Sequence, residues 1–507
     1  MDPSDDAFRQ LSEFARDTKK LSSAQALLEW DQQTYMPPAG GDYRAEQLSF
    51  LAGLIHERQT HPRVSAWLES LADSSLAADR ATATGASIFH WRRQYDKRKR
   101  LPRKLVEELA KACALGQMAW IEARRSDDFQ KFQPHLSRIV GLKQDEADAL
   151  GIGESRYDAL LDDYEPMART RDVAAVLTAL RRDLVPVTQA ILDAPVQNAT
   201  VPWPAAFPID QQERLGREAA AAIGFDFSRG RLDTTKHPFC TGLGPHDCRI
   251  TTRFDAENLS GSFFGILHEV GHGLYEQGLP RDEYGLASGE ACSLGIHESQ
   301  SRLWENLVGR SLGFWRFCYP LAQRAFPQAL AHVGLEDFYV AINRVRPSLI
   351  RVEADEATYN LHIIIRFELE QALLDNRLTV ADLPAAWNQA YEADLGVRPD
   401  SDANGVLQDI HWSAGLFGYF PTYSLGNVIA CQLFEQANLE LGNLSAAFAR
   451  GEFRPLLHWL RERVHRWGSR FTSAELVQRI TQRPIDCGPL IRHLRGKLFP
   501  LYGLPAG

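Results

Sequence analysis

The sequence predicts a mainly α-helical protein with at most a small β-sheet. Two observations lead there. Apolar residues recur at helical spacing from end to end of the 507-residue chain, and alternating strand patterns are scarce. The periodicity predicts helices over residues 4–30, 104–125, 173–192, 350–376 and 456–467. A basic run, residues 92–100 followed by Arg103 and Lys104, reads as a solvated helix face and connecting turn rather than a nucleic-acid patch. Strands fit best at Val201-Pro202-Trp203 and within residues 231–254, where prolines, glycines and threonines interrupt any helix. A mid-chain amphipathic helix is marked by Phe263, Ile266, Leu267, Val270 and Leu274, with Ser260 placed to cap its start and Gly278 and Pro280 to stop it. Gly265, Gly271 and Gly273 each weaken that helix by about 1 kcal/mol relative to alanine. They make sense where another backbone or a substrate comes close. A second helix is expected over residues 288–308, stopped by Gly309. No repeat, low-complexity tract or linker divides the chain, so residues 1–507 read as one domain, with helices on either side of the mid-chain helix forming two walls of a cleft.

Composition narrows the function. Apolar content of 44% and charged content of 24% are ordinary for a globular protein that buries a large core. A net charge of −9 argues against a general nucleic-acid binder. No apolar stretch reaches the length of a membrane span, and the acidic start, Met1 to Asp6, does not read as a secretory signal. Seven scattered cysteines with no paired spacing fit free thiols in a reducing cytoplasm, and Cys248 reads as a small buried filler. The expected location is cytoplasmic.

The chemistry is carried by His268-Glu269-Val270-Gly271-His272, inside the mid-chain helix. Histidines four apart share a helix face and can ligate one zinc ion. Glu269 beside them can take a proton from water activated by that ion. This is the pattern of a metal-dependent peptidase. A catalytic zinc needs a third protein ligand, and Glu290 and Glu298 compete for the place. Glu290 falls in the first turn of the expected second helix, where the helix dipole favours a carboxylate anyway. Glu298 lies mid-helix near a buried stripe of Leu294, Leu303, Trp304 and Leu307, where a carboxylate is costly without a partner such as a metal, and this favours Glu298.

Further motifs extend the pattern. They are Leu28 to Pro37, His237-Pro238-Phe239, Asp247 to Thr251, His297-Glu298-Ser299-Gln300, Ile350 to Asp355, and Gly405 to Trp412. Taken in order with the metal motif, they resemble nearly the whole length of the Taq-type (thermostable carboxypeptidase) family of zinc metallocarboxypeptidases. The resemblance implies a saddle-shaped helical fold with a deep central groove and a homodimer. It implies one zinc ion per chain, with cobalt able to substitute, held by His268, His272 and Glu298. It also implies removal of single C-terminal residues from peptides with broad preference, C-terminal proline disfavoured.

The remaining motif residues then acquire candidate roles. A free C-terminal carboxylate needs a cation, and Arg249 and Arg351 are the candidates, since an arginine fork matches a carboxylate. The structural alternative is an ion pair, for Arg351 with Asp355 four residues on. His411 and Tyr423 are candidate oxyanion donors. His237 is a candidate cleft residue. Asp255, Glu290 and Asp355 are candidates for orienting the imidazoles. Competing readings are an aminopeptidase or oligopeptidase with the same metal chemistry, which would need acidic groups for the substrate amine, and a helical scaffold without catalysis, which would not need intact ligands. The expected partners are peptide substrates, with neither nucleic acid nor membrane.

Overall fold

The computed structural model describes residues 2–194 and 206–505. Helices dominate, and the described residues hold one three-stranded sheet. Among the described residues the chain groups into two compact units, each drawn from three separate stretches. The first draws on 1–99, 201–342 and 433–482, and the second on 100–200, 343–432 and 483–507. No helix among the described residues is long and apolar enough to cross a membrane.

The first unit opens with α1 (Pro3–Thr34), where Asp2 accepts from the Ser4 amide and proline occupies the first helical position. Residues 92–100 of the basic run end the helix Ala83–Arg100 and are mostly half-buried rather than fully solvated, whereas Arg103 and Lys104 open the next helix and are exposed. The sheet covers the expected stretch from one residue before its start, as β1 (Gly230–Thr234), β2 (Cys240–Gly244) and β3 (Asp247–Thr252), in the order β1-β3-β2. β3 runs parallel to β1 and antiparallel to β2. The other expected strand, Val201-Pro202-Trp203, lies outside the described residues.

The mid-chain helix is α2 (Leu259–Glu276). Its cap is Asn258, which accepts from the Gly261 amide at 3.0 Å, rather than Ser260, the second residue of the helix. The apolar residues named from the sequence are its buried face. β3 lies along α2, with Cys248 fully enclosed and its sulfur 4.0 Å from the Gly273 carbonyl. α3 (Leu294–Arg302) packs against α2 and is capped by Ser293, which accepts from the Ile296 amide at 3.0 Å. It widens into a π-helical stretch, Leu303–Gly309. The expected helix over 288–308 is thus shorter at its start, because Ala287–Gly289 form a separate 3₁₀ turn, and irregular at its end.

The second unit pairs the helices Arg103–Ser126 and Phe129–Leu150 and contains Thr170–Leu192, close to the expected bounds. The expected helix over 350–376 begins only at Tyr359, as α4 (Tyr359–Leu374). Ahead of it Arg351–Glu353 make a 3₁₀ turn, and Asp355 accepts from the Ala357 and Thr358 amides.

The α2 glycines divide into two kinds. A Cβ on Gly271 would stand 2.5 Å from the Gln300 carbonyl oxygen and from Ser301 Cα, so α3 backbone occupies its place. A Cβ on Gly265 would meet only the Thr252 hydroxyl, at 3.7 Å. Chemical denaturation should therefore separate them. Gly265→Ala is expected to stabilise by about 0.5–1 kcal/mol through helix propensity, and Gly271→Ala to destabilise by about 1–3 kcal/mol through overpacking.

Candidate metal centre

α2 presents His268 and His272 on one face, and α3 brings Glu298 to them. The two Nε2 atoms stand 3.7 and 3.4 Å from the same oxygen, Oε2 of Glu298. The three ligand atoms lie within 4.8 Å of one another, and no other group of three histidine, cysteine or acidic side chains among the described residues is so gathered. Zinc binds nitrogen and oxygen at about 2.0–2.2 Å, which separates tetrahedral ligands by about 3.4 Å. The trio is spaced to fit such an ion. Each imidazole also turns Nε2 inward and gives Nδ1 a different partner, Oε2 of Glu305 at 2.9 Å for His268 and Nδ1 of His297 at 2.6 Å for His272. Burial pushes His272 down to about 4, which keeps it in the neutral form that binds metals.

Arg302 organises the carboxylates. Its Nε donates to Oε1 of Glu298 at 2.7 Å and its Nη1 to Oε2 of Glu305 at 3.2 Å. The Ser301 hydroxyl donates to Oε2 of Glu298 at 3.0 Å. Burial opposes the charge on Glu298, but Arg302 and the two histidines hold its carboxyl well below the usual range. Glu305, buried against Arg302 and His268, is brought down to about 2. Glu269 behaves oppositely. Burial pushes its carboxyl up to about 7, and its Oε2 is enclosed with no hydrogen-bond partner. A carboxyl poised near neutrality can accept and return a proton.

Glu290, the competing third ligand, precedes α3 and pairs with Lys19 at 2.8 Å. The expected orienting groups are likewise elsewhere. Asp255 accepts from Gln212 and from the Glu257 amide, Asp355 caps the start of α4, and Glu290 is held by Lys19. The side chains that meet the two imidazole Nδ1 atoms are Glu305 and His297 instead. Sequence reading missed Glu305 and Arg302. The four-residue step from Glu298 to Arg302 was a usable signal, whereas the π-helical widening displaces Glu305 from the helical phase.

Arg249 lies on β3 with its guanidinium 3.0 Å from both Asp247 oxygens and 4.2 Å from the Trp30 ring centre. His237 is exposed in the loop between β1 and β2. Arg351, His411 and Tyr423 gather in the second unit, whereas the metal trio belongs to the first. Arg351 does not pair with Asp355. It donates to Asp409 Oδ1 at 2.8 Å and to the Tyr359 hydroxyl at 3.0 Å. Arg366 takes the other Asp409 oxygen at 2.6 Å. One carboxylate thus serves two arginines that are 6% and 0% exposed, leaving a surplus positive charge. His411, pushed down to about 4 by burial, has Nε2 3.3 Å from the Tyr423 hydroxyl.

Comparison with known proteins finds relatives along nearly the whole chain. The sequence model of the family described as carboxypeptidase Taq (M32) metallopeptidase matches residues 10–498. Thermostable carboxypeptidase 1 of Thermus thermophilus is 46% identical over 98% of this chain and 99% of its own length. Carboxypeptidase 1 of Bacillus subtilis is 37% identical over 95% of this chain and 96% of its own. The crystal structure of the M32 carboxypeptidase from Deinococcus radiodurans R1 superposes with a TM-score of 0.94 at 39% identity, covering 98% of this chain and all of that one, 100%.

Chelator competition tests the ligand assignment. Glu298→Gln is expected to weaken metal binding by at least about 10-fold, and Glu290→Gln to leave it near wild type. The reverse order would move the third ligand to Glu290.

Proposed function

The chain belongs to the carboxypeptidase Taq (M32) metallopeptidase family and is a metal-dependent carboxypeptidase, a peptide hydrolase; we propose that it uses one zinc ion, held by His268, His272 and Glu298, to release single C-terminal residues from peptides. The observation that carries the zinc reading is the donor set itself, two imidazole nitrogens 3.7 and 3.4 Å from one carboxylate oxygen, all three within 4.8 Å of one another. Cobalt, with similar ligand preferences, should substitute. Bound there, zinc would polarise the substrate carbonyl and acidify a water. Glu269 is the base of this proposal, supported by its raised carboxyl pKa of about 7 and its unpartnered oxygen. His411 and Tyr423 are carried forward as donors to the oxyanion, and His237 as a residue that meets substrate.

Charge balance distinguishes the two arginines proposed to hold the terminal carboxylate. Arg249 is matched one to one by Asp247. Arg351 and Arg366 share Asp409, and the cluster has charge left for an anion. This favours Arg351 as the carboxylate-binding residue. Broad residue preference with C-terminal proline disfavoured, a homodimer and a cytoplasmic location complete the proposal. The seven cysteines are all free, which is compatible with a reducing compartment.

Mass spectrometry of an unblocked peptide incubated with pure protein should show a ladder shortening from the C-terminus, lost on chelation and restored by zinc or cobalt. Shortening from the N-terminus would sink the reading. Glu269→Gln should keep its metal and lose at least about 10² in kcat, the typical contribution of a general base. A C-terminally amidated peptide should be a poor substrate, since losing a buried charged contact costs roughly 2–5 kcal/mol. Arg351→Ala should impair the free acid strongly and the amide little. Equal effects of Arg351→Ala on kcat/KM for both peptides would assign that arginine to structure.

A further inference from the structure

We propose that His297 and Glu276 form a positioning relay, a carboxylate–imidazole–imidazole line that fixes the ring and tautomer of His272 for metal binding. The inference rests on the zinc reading above. Nδ1 of His297 lies 2.6 Å from Nδ1 of His272, and Nε2 of His297 lies 2.9 Å from Oε1 of Glu276. Of two imidazole nitrogens at that distance, one must donate and the other accept. His272 points Nε2 at Glu298 Oε2, 3.4 Å away, and a nitrogen that ligates a metal carries no proton. His272 therefore holds its proton on Nδ1 and donates it. His297 accepts at Nδ1, which leaves its own proton on Nε2, facing the carboxylate of Glu276. For neutral rings, this single tautomer pattern satisfies all three contacts.

The fold builds each member of the line. Glu276 stands one turn after His272 and is the last residue of α2, and His297 immediately precedes Glu298 on α3. The relay thus ties together the two helices that supply the ligands. The His297 ring is packed against Tyr275, with centres 5.1 Å apart, and against His272 at 4.7 Å. The carboxylate of Glu276 is seated against β2, where a Cβ on Gly242 would fall 2.3 Å from its Oε2. A carboxylate at the far end of such a line raises the basicity of the ligating imidazole and limits its rotation.

The test measures metal binding, separately from turnover. Zinc affinity by chelator competition and the visible spectrum of the cobalt-loaded protein are read on wild type, His297→Leu, His297→Gln and Glu276→Gln, each shown to be folded when metal-free. His297→Leu is expected to lose about 10- to 100-fold in zinc affinity and to shift the cobalt spectrum. His297→Gln, whose amide can accept from His272 and donate to Glu276, should recover part of that loss. Glu276→Gln keeps the shape and removes the charge, and should lose about 10-fold. Wild-type affinity in His297→Leu and Glu276→Gln overturns the relay and leaves the zinc reading standing. Equal losses in His297→Leu and His297→Gln, with none in Glu276→Gln, also overturn it, because packing alone would then explain them. A wild-type protein that takes up no zinc overturns both readings. If His297→Leu does not fold, Glu276→Gln decides.

Discussion

One guanidinium fork sets the charge balance of the metal centre. Glu298 and Glu305 are both enclosed, and a buried carboxylate without a partner is costly enough to shift its pKa or unfold its surroundings. Arg302 reaches both, and each carboxylate also faces a histidine. Both acids therefore stay charged, one as the proposed ligand and one as the carboxylate that meets Nδ1 of His268. Glu269, next to His268 in sequence, shares the enclosure without such a cation, and burial raises it. Two opposite behaviours of the same functional group thus arise from where a single arginine reaches.

The second unit inverts the arrangement. There one carboxylate, Asp409, is divided between two arginines. The stretch from Gly405 to Trp412 has little regular secondary structure, yet most of it is buried. Side chains hold much of it in place, beside a few backbone turns. Gln408 accepts from the Arg351 amide and Arg366 and donates to the Leu349 carbonyl. The Trp412 indole donates to Glu370. Side-chain hydrogen bonds of this kind help to specify one conformation where backbone ladders are absent.

Much of this was legible in the sequence, and the failures have physical causes. The long helices and the strand region followed from periodicity and breakers, since those signals are local. The metal trio was legible because two ligands sit at helical spacing and the third is a carboxylate beside an apolar stripe. Gly271 was correctly read as a point of close approach, and the structure supplies the partner, the α3 backbone at Gln300 and Ser301. Glu305 was hidden because a π-helical stretch breaks the 3.6-residue phase on which pattern reading depends. The stretch 350–358 looked helical by apolar spacing, but Asp355 captures the amides of Ala357 and Thr358 and delays the helix start. The partners of Arg351 were out of reach for a different reason: Asp409 lies far along the chain, and a long-range ion pair leaves no local trace.

The interleaving of the two units has a consequence for synthesis. All three proposed metal ligands have been synthesised once residue 298 has been added, but the unit that houses them is complete only at residue 482. That last stretch brings His465, whose Nε2 lies 3.0 Å from Gln300 on α3 and whose ring packs against Tyr275 on α2. Translation at roughly 5–20 residues per second places about 10–40 s between the two events. A nascent chain therefore carries the proposed ligand residues for that interval before the unit that encloses them can be finished.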